Sequence, residues 1–175
     1  VARATPMGRA VIAVAGTSGS LVPIDATGAA GAISLYADQA STVSVKRVAQ
    51  TAPREAPVHG ATSAVARALD LRGGGAVRLA FEPDFVAAEL VGHPVATDAN
   101  SALKAGGDPV GLAWPSWVDA LALTPALPEI VEPGRPLAGI APARARVLGL
   151  PPDAQVVSGT TDGCAAALAA GGRGL

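Results

Sequence analysis

The sequence is poor in aromatic residues, charge and cysteine, and each shortage excludes a class of protein. Of its 175 residues, 3% are aromatic and 15% are charged, and the formal net charge is -1. A nearly neutral chain has no electrostatic attraction for nucleic acid or for an anionic membrane. Cys164 is the single cysteine, so an internal disulfide is excluded, and its alanine neighbours predict a small buried side chain.

Long apolar runs are also missing. None approaches the ~20 residues that span a bilayer, and the opening residues 1–6 lack the apolar core of a signal peptide. Hydrophobic residues make up 50% of the chain, which is enough for the core of one domain. The 21 glycines and 15 prolines predict many short elements and turns in place of long helices. The composition therefore favours a cytoplasmic globular protein.

Strand-like and helix-like segments alternate along the chain. Short apolar runs predict strands over 10–14, 21–24, 32–36 (pairing with the second) and 137–140. Helical spacing with proline near the start or glycine past the end predicts helices over 62–71, 83–91, 115–121 and 143–148. Residues 41–60 are interrupted by proline and predict a loop with some helix. This interleaving indicates an α/β or closely related mixed fold.

The last part of the chain carries its best candidate for chemistry. An apolar strand is expected to end at Gly159, followed by a polar turn up to Asp162 and an alanine-rich helix. The pattern puts the Asp162 carboxylate at the carboxyl edge of a strand, where open α/β sheets usually bind their ligands. Aspartate is also a preferred helix N-cap, and the helix dipole favours its charge there. Taken alone, the local pattern favours a cap over a catalytic residue.

Three motifs, taken in their order along the chain, shift that balance. The first is Gly16-Thr17-Ser18-Gly19, followed by Asp25 and Gly28. The second is Asp98-x-Asn100-x-Ala102-Leu103-Lys104, followed by Trp114-Pro115-x-Trp117. The third is Gly149-Leu150-Pro151, followed by Gly159-Thr160-Thr161-Asp162. Each is weak alone, but together they resemble the FGGY carbohydrate kinases, and within them the pentulose kinases of the ribulokinase and xylulokinase type.

The resemblance implies a fold and a place in a larger enzyme. FGGY kinases share with actin the ribonuclease-H-like fold, a mixed sheet flanked by helices. Residues 1–175 resemble part of the amino-terminal, sugar-binding domain, without the family's first phosphate loop or its carboxyl-terminal nucleotide domain. ATP and Mg²⁺ are the implied cofactors, bound mainly by those other parts, so the chain alone is expected to be inactive. A small sugar is the implied partner, and a homodimer is compatible with the family.

The resemblance also implies site residues. Asp162 matches the catalytic aspartate, which receives the proton of a sugar hydroxyl as its oxygen attacks the γ-phosphate of ATP. Ser18 and Gly19 match a turn that faces the sugar, and Asp38 matches an acid that holds sugar hydroxyls. Thr161, next to Asp162, is the remaining candidate sugar contact. Plainer alternatives stay open: a tight turn permitted by glycine for Ser18, and an acid of a surface loop for Asp38.

Three departures from the family pattern leave a second class of function open. Ala15, Ala37 and Ala40 stand where relatives often carry aspartate, asparagine and arginine. A non-catalytic sugar-binding or pseudokinase domain is therefore the alternative to a kinase.

The remaining polar residues of interest have structural explanations. His59 and His93 lie in turn contexts without further ligands at metal-binding spacing, so no metal site is expected. Asp98 and Asn100 are expected to cap a short helix, and Lys104 to lie at a helix carboxyl end.

Overall fold

The computed structural model describes residues 10–172. The strands are β1 (Val11–Gly16), β2 (Leu21–Ile24), β3 (Arg78–Phe81), β4 (Thr97–Asp98), β5 (Ile130–Val131), β6 (Pro136–Gly139) and β7 (Gln155–Thr161). The helices are α1 (Thr42–Thr51), α2 (Ala64–Gly73), α3 (Glu82–Val91), α4 (Ala99–Leu103), α5 (Ser116–Ala120), α6 (Pro142–Leu148) and α7 (Asp162–Ala169), with a 3₁₀ turn at Thr124–Ala126. The signal-peptide expectation concerns residues 1–6, which lie outside the described residues. No helix between residues 10 and 172 is long and apolar enough to cross a membrane.

The central sheet has three strands in the order β1-β7-β6. β1 runs parallel to β7, with Val11 opposite Gln155 and Gly16 opposite Thr161, whereas β6 runs antiparallel to β7. Helix α3 packs on both β1 and β7. Because parallel strands leave a sheet at the same edge, the segments that follow β1 and β7 lie side by side.

A smaller antiparallel pair, β2 and β3, adjoins the chain segment that follows β2. Residues 29–34 return along β2, where Leu21 and Ser34 exchange backbone hydrogen bonds of 2.9 and 2.8 Å. The predicted pairing of residues 32–36 with the second strand is therefore confirmed as an isolated bridge, without a full strand.

Helix α1 occupies half of the stretch for which a loop with some helix was predicted. Ser41 caps it by accepting a hydrogen bond of 3.2 Å from the Ser44 N–H. Asp70 of α2 accepts three further hydrogen bonds of 2.6 to 2.7 Å, from the Ser41 N–H and from the hydroxyls of Ser41 and Ser44. Burial raises the pKa of Asp70, but these hydrogen bonds outweigh it and hold the pKa below its usual value. The full helix was missed because its cap is supported from another helix, remote in sequence.

Glycine ends two of the helices where the sequence predicts it. Gly92 follows α3 with φ of 87°, and Gly149 follows α6 with φ of 65°. This left-handed conformation favours glycine, and it stops the helix.

Two main clusters of apolar side chains form the core. The larger joins α1, α2 and α5 to the β2–β3 pair, with Leu21, Val48, Phe81 and Leu121 among its members. The smaller lies between α3, α6 and the central sheet, with Val91, Ile140 and Val156 among its members. Helix α7 buries none of its side chains fully, so Cys164 is half-buried and the prediction of a buried thiol is wrong.

Candidate functional site

The candidate site lies at the carboxyl edge of the central sheet. β1 ends at Gly16, directly opposite Thr161 at the end of β7. The turn that contains Ser18 and Gly19 follows β1, and Asp162 follows β7. The parallel pairing therefore brings the motif at residues 16–19 and the motif at residues 159–162, which lie far apart in the chain, to one edge of the sheet.

A β-bulge shapes this edge. The pairing of β1 with β7 shifts between Ala13 and Ala15, and Gly159 of β7 lies at the irregularity. A Cβ atom on Gly159 would overlap the carbonyl oxygen of Val14, so the close approach of the two strands requires glycine. Bulges redirect the residues that follow them, and here those residues lead to Asp162.

Asp162 is the first residue of α7, and it is not the helix cap. The N-cap is Thr161, whose Oγ1 accepts a hydrogen bond of 3.3 Å from the Cys164 N–H. The polar turn predicted between strand and helix is absent, since β7 continues to Thr161 and the helix begins at the next residue. Asp162 is exposed, and its Oδ1 accepts a hydrogen bond of 2.7 Å from the Gly163 N–H. The expectation of an aspartate cap is therefore wrong, and the exposed carboxylate is accessible to a ligand.

Thr161 has a different position from the one expected for a sugar contact. Its side chain is buried, and its hydroxyl is the cap of α7. The predicted contact of Thr161 with sugar stays a prediction.

The turn after β1 is held from a neighbouring helix. Gly19 has φ of 84°, a left-handed conformation that favours glycine, and Ser18 is half-buried. The Thr17 N–H donates a hydrogen bond of 3.3 Å to Oε2 of Glu82, the first residue of α3. The plain interpretation of a tight turn is confirmed by this geometry, and the contact of Ser18 and Gly19 with sugar stays a prediction.

Asp38 lies in an exposed turn beside the Ser18–Gly19 turn. Its Oδ2 accepts a hydrogen bond of 2.8 Å from the Leu35 N–H, which closes the turn. The Tyr36 N–H donates a hydrogen bond of 3.2 Å to Oγ of Ser20, the residue after Gly19. This contact joins the Asp38 turn to the β1 turn, and the role of Asp38 as a sugar ligand stays a prediction.

Arg67 of α2 contacts the Ser18–Gly19 turn and Ser34, which directly precedes the Asp38 turn, and the sequence interpretation missed it. Its Nη2 donates a hydrogen bond of 2.7 Å to the Gly19 carbonyl, and its Nη1 donates to the carbonyl and hydroxyl of Ser34 at 3.1 and 3.0 Å. The available signal was an arginine between Ala66 and Ala68 in an otherwise apolar stretch of helix. Such a residue is rarely buried without a specific reason.

Helix α4 supports the other end of the site. Asp98 caps this helix as predicted, with Oδ1 accepting hydrogen bonds of 2.9 and 3.2 Å from the N–H groups of Asn100 and Ser101. The side chain of Asn100 donates a hydrogen bond of 2.9 Å from Nδ2 to Oγ1 of Thr160, two residues before Asp162. Lys104, just after α4, is exposed, and its Cβ faces Gly19.

A buried acidic pair lies between α3 and α4. Asp84 in the first turn of α3 and the cap residue Asp98 are both buried, and the Oδ2 atoms of both are without a hydrogen-bond partner within residues 10–172. Burial, together with the charge of Asp98, raises the pKa of Asp84 to about 7. The two acids thus lie between helices α3 and α4, which contact the site through Glu82 and Asn100.

A cavity of about 410 Å³ lies elsewhere, between α3, β3 and residues 125–128. None of the predicted site residues lines it. Arg144 and Glu89 on its wall form an ion pair with each other, so neither offers a free charge to a ligand. We therefore assign the candidate chemistry to the sheet edge and not to this cavity.

Both histidines are exposed, as the sequence predicts for histidines in turns. His59 and His93 are exposed, and each ring contacts a backbone carbonyl, that of Pro53 at 2.7 Å and that of Pro94 at 3.0 Å. In the described part of the chain, no group of three histidine, cysteine or acidic residues could hold a metal ion.

Comparison with known proteins places the fold. No protein-family model matches the sequence. A ligand-bound xylulose kinase from Lactobacillus acidophilus matches with a TM-score of 0.78 and 20% identity, over 93% of this chain and 36% of that protein. A xylulose kinase from Rhodospirillum rubrum matches with a TM-score of 0.75 and 22% identity, over 91% of this chain and 37% of that protein.

The chain has a carbohydrate-kinase fold. A gluconate kinase from Lactobacillus acidophilus gives a similar result, with a TM-score of 0.77 and 20% identity over 91% of this chain and 36% of that protein. These neighbours confirm the predicted ribonuclease-H-like α/β fold with a mixed sheet flanked by helices. The chain spans 36% of the length of the first of these kinases.

Proposed function

We propose that this chain is part of a kinase that transfers the γ-phosphoryl group of ATP to a hydroxyl of a ketopentose such as ribulose or xylulose. The observation that carries the proposal is the exposed Asp162 carboxylate at the carboxyl edge of the sheet. This carboxylate does not cap α7, because Thr161 does. We assign residues 1–175 to a sugar-binding domain, because the chain matches about a third of each kinase and carries the motifs expected of the sugar side.

Asp162 is the catalytic residue of this proposal. Its carboxylate orients the sugar hydroxyl and accepts the proton as the hydroxyl oxygen bonds to the γ-phosphorus and the bond to the ADP oxygen breaks. The amino terminus of α7 stabilises the negative charge of the carboxylate. Phosphoryl transfer is mostly positioning and charge stabilisation, so orienting the hydroxyl is a large part of what Asp162 contributes.

The sugar contacts of the proposal are Ser18, Gly19 and Asp38. A hydroxyl, a backbone turn and a carboxylate together offer both donors and acceptors, which a polyol needs along its chain of hydroxyls. The choice of a ketopentose rests on the sequence motifs, and two of the compared structures bear the name xylulose kinase. The gluconate kinase among the neighbours shows that the fold alone does not select one sugar.

ATP and Mg²⁺ would find few ligands among the described residues. Within residues 10–172 no group of three histidine, cysteine or acidic side chains could hold a metal ion, and we propose that Mg²⁺ and ATP bind mainly to parts of the enzyme outside this chain. Mg²⁺ bound to ATP would neutralise charge on the transferred phosphate. The contribution that we propose for this chain is the acceptor side of the reaction.

The test is Asp162→Asn in the full-length gene product, assayed for ATP-dependent phosphorylation of D-ribulose and D-xylulose. We expect kcat to fall by about 10²- to 10⁴-fold, the usual size of a general-base contribution, with little change in the KM of the sugar. Asp153→Asn is the matched control, since Asp153 is an exposed aspartate before β7, and it should leave turnover unchanged. Near wild-type turnover of Asp162→Asn would refute the catalytic assignment. A wild-type protein that binds a ketopentose but never phosphorylates it would instead support the alternative of a non-catalytic sugar-binding domain.

A further inference from the structure

Arg67 is a buried cation in a stretch of α2, residues 64–69, whose other members are apolar. Residues 64–69 of α2 are all buried, and Arg67 itself is 3% exposed. Within the described residues the single ion pair is that of Arg144 with Glu89, so no carboxylate lies within ion-pair distance of the Arg67 guanidinium. Burying a charge without an ionic partner is costly, and the hydrogen bonds of the guanidinium must offset that cost.

All of these hydrogen bonds go to the two segments that carry candidate sugar contacts. One nitrogen, Nη2, bonds the Gly19 carbonyl at 2.7 Å, next to Ser18. The other, Nη1, bonds the carbonyl and the hydroxyl of Ser34, at 3.1 and 3.0 Å. Ser34 begins the segment that closes at Asp38 through the Leu35 N–H. The planar fork therefore joins the Ser18–Gly19 turn to the residue that directly precedes the Asp38 turn.

Electrostatics favour the same link. Burial lowers the pKa of Arg67, whereas the nearby carboxylate of Asp38 raises it. The guanidinium thus attracts Asp38 without contacting it and leaves both carboxylate oxygens outside an ion pair. An aliphatic residue at position 67 would fill the space at a lower desolvation cost, but it could not donate hydrogen bonds to Gly19 and Ser34.

We propose that Arg67 is a positioning residue of the sugar site, which holds the Ser18–Gly19 turn and the Asp38 turn at a fixed separation. The inference rests on the proposed function, because that function makes these two turns the walls of one sugar site. Arginine suits this position better than lysine, since its rigid fork serves two acceptors on different segments at once, whereas an ammonium group is a point charge on a flexible stem.

The test compares Arg67→Lys with Arg72→Lys in the full-length gene product. Arg72 lies on the same helix and donates to the Ala76 carbonyl, away from both turns. We expect Arg67→Lys to raise the KM for D-ribulose or D-xylulose about tenfold, the effect of losing one charge-assisted hydrogen bond. The kcat and the KM for ATP should change little, and Arg72→Lys should change none of the three constants.

The split between KM and kcat separates positioning from general stability. A purely structural role would lower the folded fraction, and therefore the apparent kcat, while the KM of the remaining folded enzyme stayed the same. Ser34→Ala is the second variant, in case Arg67→Lys does not fold. It removes one hydroxyl acceptor and leaves the backbone contact, so it should raise the sugar KM in the same direction by about two- to fivefold.

Three outcomes are decisive. A sugar KM raised in Arg67→Lys or in Ser34→Ala, with unchanged Arg72→Lys, supports the inference. Unchanged sugar KM in Ser34→Ala and in folded Arg67→Lys overturns the inference and leaves the proposed function intact. A wild-type protein that neither phosphorylates nor binds a ketopentose overturns the proposed function, and the positioning role with it. Dissociation constants from calorimetry give the same comparison if the wild type binds sugar without turnover.

Discussion

The side chain of Asn100 on α4 is hydrogen-bonded to the side chain of Thr160 on β7, with 2.9 Å between Nδ2 and Oγ1. The two residues are 60 positions apart in the chain, and the bond fixes the last part of β7 against a helix that β7 does not adjoin in sequence. Because Asp162 follows two residues later, this contact helps to set the place from which α7 begins.

The first prediction concerns the strength of this link. In the 175-residue chain, Asn100→Ala and Thr160→Val should each lower the free energy of unfolding. Their coupling in a double-mutant cycle should be about 0.5–1.5 kcal/mol, the net value of a typical hydrogen bond. Urea denaturation of the four proteins measures it. Additive effects of the two substitutions would show that the bond contributes nothing to stability.

The second prediction separates the two residues at the start of α7. Thr161→Val should destabilise the chain by about 1 kcal/mol, because it removes the capping oxygen and keeps the branched shape suited to a strand. Asp162→Ala should lower the free energy of unfolding by less than Thr161→Val does, since the structure gives Asp162 no capping role and its charge near the helix amino terminus contributes a smaller amount. Urea denaturation of both variants provides the comparison. The reverse ranking would mean that Asp162 caps the helix after all.

The third prediction is a pH dependence of stability that arises from Asp84. Its pKa is raised from 3.8 to about 7 in the folded chain, so between these values the folded state holds a proton that the unfolded state has released. The contribution of Asp84 to the free energy of unfolding should therefore be largest at low pH. It should fall between the two pKa values by up to about 1.4 kcal/mol per pH unit and level off above the folded pKa.

Asp84→Asn provides the control for that dependence, because an amide has the shape of the neutral carboxyl group and does not titrate. The difference in unfolding free energy between wild type and variant, measured in urea from about pH 5 to about pH 8, isolates Asp84 from the other titrating groups. Parallel curves for the two proteins would show that Asp84 titrates normally.

The fourth prediction concerns the isolated chain. It should bind a ketopentose at best in the millimolar range, since each sugar hydroxyl contact contributes only ~1 kcal/mol net, and it should have no kinase activity. Titration with D-ribulose should shift the backbone NMR signals of Gly19 and Leu35, and Ser18→Ala should weaken the effect. ATP-dependent phosphorylation of the sugar by the isolated chain would contradict the expectation of inactivity.

Much of the fold could be predicted because its signals are local. Proline near the start and glycine after the end mark α3, and the structure places the helix at Glu82–Val91 with Gly92 in the left-handed conformation. The cap of α4 by Asp98 follows from the same kind of short-range pattern. Helix α1 was predicted only in part, because Asp70, which binds its cap Ser41 and also Ser44, comes from α2.

By itself, the sequence determined the α/β class, the approximate positions of most helices and the motifs that point to Asp162, since backbone preferences and turn chemistry act over a few residues. Only the tertiary structure decided that Thr161, and not Asp162, is the cap of α7. Both residue types cap helices well, and the choice depends on how far β7 stays paired, which is set by Gly16 opposite Thr161. The role proposed for Arg67 could likewise not be predicted from the sequence. It depends on two acceptors, on Gly19 and Ser34, that only folding brings within hydrogen-bond distance of one guanidinium.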